Sequence, residues 1–168
     1  MVRAAADDRS WLAAGVLVGI GMGGFVDGIV FHQLLQLHNM LSNRIPKDTV
    51  AGLEINMVWD GLFHAGCWLV VLAGMVMTWR ALRGRAALPS GRGWIGAAIL
   101  GWGIFNLVEG IVDHQLLEVH HVHQYGSHLL WDLVFLGSGV VLAVAGWAIV
   151  RSSRPRGGSA ARPDEAAA

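Results

Sequence analysis

All eight histidines of this 168-residue chain lie in stretches that also carry carboxylates or carboxamides. Asp27 to Met40 reads DGIVFHQLLQLHNM, and Glu109 to Val122 reads EGIVDHQLLEVHHV. Gly28, Ile29, Val30, His32, Gln33, Leu34, Leu35 and His38 recur, at a constant spacing of 82, as Gly110, Ile111, Val112, His114, Gln115, Leu116, Leu117 and His120. A second match follows each copy, with Asn56 to Asp60 (NMVWD) set against His128 to Asp132 (HLLWD). Imidazole and carboxylate together suit zinc, copper, iron and manganese. A ligating histidine usually donates its other N–H to a carboxylate, and Asp60 beside His64 and His128 beside Asp132 have the helical i, i+4 reach for this. Met40, Met57 and Cys67 add soft sulfur nearby, which tilts the expectation towards copper, with zinc or iron as alternatives.

These residues need elements to hold them, and the spacing of charges defines those elements. Hydrophobic residues make up 54% of the chain and charged ones 14%. Leu12 to Val26, Gly61 to Thr78, Gly93 to Val108 and Leu133 to Val150 contain no Asp, Glu, Lys or Arg. With their flanks, each can cross a hydrocarbon core of ~30 Å, which takes about 20 helical residues. A soluble bundle would need polar outer faces, which these segments lack. The fold expected is therefore an all-α integral membrane four-helix bundle made of two tandem two-helix repeats, about 11–80 and 94–151. A polar lead (1–10) precedes it, and a disordered tail (152–168) follows. The helices are expected over Trp11–Leu41, Gly52–Arg80, Trp94–His121 and from near His128 to Arg151. Net charge is zero, so no nucleic-acid partner is implied. A single cysteine excludes an intramolecular disulfide framework.

Arg80, Arg83, Arg85 and Arg92 crowd the second loop and Arg151, Arg154, Arg156 and Arg162 the tail, against Arg44 and Lys47 in the first loop. The positive-inside rule then places both termini in the cytoplasm. All eight histidines fall in the outer half, where buried ionisable groups mark function. Asn56, Asp60 and His64 share one stripe of the second helix; His128 and Asp132 share the matching stripe of the fourth. The candidate metal ligands are His32, His114, His64, His128, Asp60, Asp132, His38, His120, His121, Asp27 and Glu109. On an ideal helix, Asp27 and His38 lie about 140° and 120° around the axis from His32. Either a local bulge turns both faces inward, or there are two polar layers. Gln33 and Gln115 read as hydrogen bonds across helices, and Trp59 and Trp131 as interface anchors.

The doubled D/E-G-I-V-x-H-Q-L-L-x-x-H motif, with GLFHAGCW and FNLVEGIVDHQLLEVHHV, resembles an uncharacterised family of bacterial four-helix membrane proteins over about Trp11 to Arg151. The resemblance implies a bacterial inner-membrane location. It also implies an association with the copper-delivery assembly factors of cytochrome oxidase as partners. The reading that follows is a membrane metal-binding protein, with copper handling in support of a respiratory oxidase foremost. Two rivals stand beside it. One is a redox enzyme with haem, a less favoured cofactor, or with a di-metal site, although ExxH pairs are missing. The other is a proton or ion transporter using the His/Asp cluster as a relay; the apolar inner half argues against it, and a four-helix protein could still transport as a homodimer.

Overall fold

The computed structural model describes residues 2–83, 90–124 and 126–153, with side chains from residue 9 onward. Arg85, Arg154, Arg156, Arg162 and most of the expected tail lie outside those residues. Four long α-helices carry the fold: α1 (Val2–Val26), α2 (Val50–Leu82), α3 (Gly91–Glu109) and α4 (His128–Ser152). Helices α1 and α3 run directly into π-helical segments, π1 (Asp27–Leu34) and π2 (Gly110–Leu116). Among the described residues, four stretches are long and apolar enough to cross a membrane: Arg9–Leu34, Val50–Leu82, Gly91–Leu116 and His128–Ser152. The all-α, four-span architecture expected from the charge spacing is the one observed. Helix α1 also absorbs most of the polar lead, because its alanine-rich start favours helix.

Helix starts follow their caps. The Thr49 hydroxyl accepts the Gly52 N–H at 3.1 Å, and the Ser90 hydroxyl accepts that of Gly93 at 3.2 Å, which begins α2 and α3. Helices α1 and α3 form the central pair, with α2 packed on α1 and α4 on α3. Glycine permits this closeness: a Cβ at Gly19 would overlap the Ala98 carbonyl, and one at Gly101 the Val16 carbonyl. Without a strong hydrophobic force between helices in lipid, such backbone contact is how they pack.

The distribution of polarity is inverted relative to a water-soluble domain. Leu62, Leu69, Met75, Val141 and Val144 are exposed on α2 and α4, whereas the largest fully buried side chains are histidine, asparagine and aspartate. Lipid around the bundle accounts for the first, and the second requires an internal purpose. Near the termini, Trp11 donates to the Ser90 carbonyl and Trp94 to the Thr78 hydroxyl, each at 3.2 Å. Arg83 lies over the Trp79 ring at 4.4 Å.

The first and third helices end earlier than the sequence led one to expect, at Leu34 and Leu116 rather than Leu41 and His121. The amides of Leu35 and Leu117 donate five residues back, to Val30 and Val112, each at 2.8 Å. Those of Leu37 and Val119 reach six back, to Phe31 and Asp113, at 2.9 and 3.0 Å. Gln36 (φ 52°) and Glu118 (φ 48°) then adopt the left-handed conformation, which ends each helix and turns the chain inward.

Candidate metal centre

In π1 and π2 the helix closes every five residues, not every four. Asp27 and His32 are five apart, as are Glu109 and His114. The wider turn brings each pair onto one face, so the first of the two arrangements left open by the sequence, a local bulge, is the one present. The His32 Nε2 atom faces the Asp27 carboxylate at 3.0 Å. The inward-turning segments after Gln36 and Glu118 supply His38 and His120. These two histidines therefore reach the centre from loops, not from a second helical stripe.

Four imidazoles meet as a result. His32, His38, His114 and His120 are each at most 1% exposed. Their ring centroids lie 4.5 Å apart for His32 and His38, 4.6 Å for His38 and His120, and 4.9 Å for His114 and His120. His120 Nε2 stands 3.6 Å from the Glu109 carboxylate, and His38 Nε2 stands 3.9 Å from that of Asp27. The Asp27 and Glu109 carboxyl groups are close enough to each other to interact.

Outer contacts fix which nitrogen points inward. His38 Nδ1 donates to the Val122 carbonyl at 2.9 Å, and His120 Nδ1 to the Met40 carbonyl at 3.0 Å. His32 Nδ1 donates to Asp60 at 3.0 Å. His114 Nδ1 faces Asp132 at 3.4 Å, too poorly aligned for a hydrogen bond. Asp60 and Asp132 are themselves held: Asp60 accepts from the Met40 amide at 2.8 Å and the Asn39 amide group at 2.6 Å. Asp132 accepts from the Val122 amide at 3.0 Å and His121 Nδ1 at 2.8 Å. Gln33 and Gln115 reach across to these same carboxylates at 3.4 and 3.2 Å, the interhelical role expected of them.

What remains is a set of ligand atoms with no hydrogen-bond partner outside the set. Among the described residues, the Nε2 atoms of His32, His38, His114 and His120, and both oxygens of Asp27 and of Glu109, are buried without a hydrogen-bond partner beyond one another; His64 Nε2, against the Gly28 backbone, is likewise buried without one. Unsatisfied buried polar groups are costly, and those of the four imidazoles and two carboxylates converge. His32, His38 and His120 form one group whose ligand atoms lie within 4.8 Å of one another; Glu109, His114 and His120 form another. Either group could hold a metal ion. Burial pushes the His38 imidazole below its ordinary value, aided by His120 and His32. Burial, followed by the neighbouring His114, takes His120 down to about 3. Both are thus neutral near pH 7, with a lone pair on Nε2.

The other candidates stand outside this centre. Asp60 and Asp132 orient His32 and His114 from behind. His121 is held by Asp132, and His128 Nδ1 donates to the His123 carbonyl at 2.8 Å, with 4.9 Å between the His121 and His128 rings. His64 points its Nε2 at Gly28, where a Cβ would collide with it, and stacks beside Phe25 at 6.1 Å. Leu136 occupies the equivalent place against Gly110. Cys67 packs against Gly24, and Met57 is exposed, so neither brings sulfur to the centre. Loop residues that roof the site were not singled out in advance: Asn43 donates to the Val119 and Glu118 carbonyls at 3.0 and 2.8 Å, and Gln124 to that of Ser42 at 3.0 Å. At the loop end, a cavity of about 700 Å³ lined by His32, Gln33, Gln36, Asn39 and Lys47 leads to His32.

A family model described as a predicted membrane protein, DUF2243, matches residues 14–153. No curated protein and no solved structure matches the chain.

Proposed function

Because the chain belongs to the DUF2243 family of predicted membrane proteins, which names no chemistry, we propose a function from the buried centre: binding of transition-metal ions inside the membrane domain. One observation carries this reading. Four histidine Nε2 atoms and two carboxylates are buried and converge, and among the described residues none of them hydrogen-bonds to anything outside the set. A cation would satisfy them together and offset the two carboxylate charges.

The donors are imidazole and carboxylate, with Asp60 and Asp132 in the supporting place that carboxylates take behind ligating histidines. Copper(II), zinc, iron and manganese all accept this set. Copper handling for a respiratory oxidase is the physiological form we favour, on the association with assembly factors that the sequence resemblance implies. Cys67 and Met57 do not add to that argument. The four rings pack directly on one another, an arrangement for ions and not for a macrocycle. Binding is favoured over transport because Leu12 to Val26 and Leu133 to Val150 offer no ionisable group on the far side of the centre. On this reading the cavity at His32 is the ion's entrance from the outer face, and the bilayer is that of a bacterial inner membrane with both termini cytoplasmic.

The test is metal content by mass spectrometry on detergent-purified protein, beside His32→Ala/His114→Ala. Stoichiometric metal that disappears in the double variant, while the protein stays monodisperse, supports the reading. An apo wild type that takes up no copper, zinc, iron or manganese on reconstitution would overturn it.

A further inference from the structure

The centre has a second approach, from a different phase. Helices α1 and α4 both pack on α3 but not on each other. Between them runs a groove of about 230 Å³, walled by Phe31, Trp102, Phe135 and Leu142, with Asp27 among its lining residues. Every one of these residues lies within a membrane-spanning stretch, so the groove sits at bilayer depth.

Asp27 makes this more than a gap between helices. It is 2% exposed, and among the described residues its Oδ1 atom has no hydrogen-bond partner, while Oδ2 faces His32 at 3.0 Å. A second polar feature is set in the wall, where Asn106 donates to the Ser138 hydroxyl at 3.0 Å. An apolar pocket with a few convergent polar groups is the usual form of a small-molecule site.

The matched half of the chain is filled instead. Gly23, which lines the groove, corresponds to Phe105 at the spacing of 82. The Phe105 ring packs against Phe63, with 6.2 Å between centroids, and against Gly24. The space on the Asp27 side therefore depends on a small residue where its counterpart is large.

We propose that this groove binds a small lipid-soluble molecule that carries one hydroxyl group, such as an aliphatic alcohol or a phenol, with the hydroxyl donating to Asp27. Apolar walls select a molecule dissolved in the bilayer, and the unpaired carboxylate oxygen selects a hydrogen-bond donor. A hydroxyl is favoured over an ammonium group because an uncharged donor reaches this depth at far lower cost. Such a molecule would lie against the centre from the lipid side, opposite the aqueous cavity at His32. The proposal rests on the groove and on Asp27 Oδ1, and it leaves Oδ2, the oxygen that faces His32, to the proposed metal centre.

The experiment uses the full-length protein in detergent micelles and two photoactivatable probes: a medium-chain alkyl alcohol bearing a diazirine, and the corresponding alkane without the hydroxyl. Labelled residues are mapped by peptide mass spectrometry. The expected result is labelling of groove residues by the alcohol, competed by unlabelled alcohol, and little labelling by the alkane. Leu142→Trp should abolish the labelling, and its metal content should match that of the wild type. Gly23→Phe, which copies Phe105, is the bolder variant because a side chain there meets Trp102. Equal labelling by alcohol and alkane would reduce the groove to a crevice for lipid tails and overturn the proposal, as would alcohol labelling that ignores Leu142→Trp. Metal content, read on the same samples, reports separately on the proposed centre.

Discussion

His38 and His120 stack face to face, 4.6 Å between centroids and 8° between planes, and each donates its Nδ1 proton to a carbonyl two residues beyond the other. This exchange ties the two loops together and turns both Nε2 atoms towards the carboxylates. His120 also belongs to both of the groups able to hold an ion. His120→Ala should therefore lose more bound metal than His38→Ala, a ranking that metal analysis of the two purified variants will check.

Asp60 accepts only from donors: His32 Nδ1, Asn39 Nδ2, Gln33 Nε2 and the Met40 amide. Asp60→Asn puts an amide N–H among them. It should weaken metal affinity by about 10–100-fold and cost about 1–3 kcal/mol of stability. Competitive chelator titration and detergent-phase melting measure the two effects.

His121 occupies the position that Asn39 holds in the first half, and each hydrogen-bonds the nearby aspartate, His121 to Asp132 and Asn39 to Asp60. His121→Asn should accordingly leave metal stoichiometry unchanged and shift stability by no more than about 0.5 kcal/mol. A loss of metal would bring His121 into the ligand set.

His38 and His120 are held below the ordinary imidazole value of 6.5, His120 at about 3. At these two imidazoles the native state is the less protonated one below pH 6.5. Their contribution to the stability of chelator-treated protein is full above pH 6.5 and is lost as the pH falls below it. The slope is about 1.4 kcal/mol per pH unit for each proton taken up only on unfolding. Melting temperatures between pH 7.5 and pH 5 give the slope, and a double His38→Gln/His120→Gln variant should flatten it.

Gln36 and Glu118 carry φ of 52° and 48°. Gln36→Val should destabilise by about 1–2 kcal/mol, since a branched side chain meets the left-handed conformation poorly. Gln36→Gly should be tolerated within about 1 kcal/mol. Thermal melts of the pair separate backbone strain from loss of the side chain.

The spans were legible because charge-free runs the length of a bilayer admit few other folds. Most of the centre was legible too, since His32, His114, Asp27 and Glu109 stand at matched positions in the doubled stretch. The helix ends were not. Left-handed termini normally announce themselves with glycine, and here they are Gln36 and Glu118. The π-helical turns left no mark in an apolar pattern read at 3.6 residues per turn, so Asp27 seemed to face away from His32. The place of His64 was not legible either. It shares a stripe with Asp60, but α2 directs it onto the Gly28 backbone, where Leu136 takes the corresponding position against Gly110.

The exchanged latch between His38 and His120 makes the two loops mutually dependent. Each loop offers a histidine it cannot tether and a carbonyl its own histidine does not use. Neither loop can therefore close by itself, and the centre is completed only when both are in place.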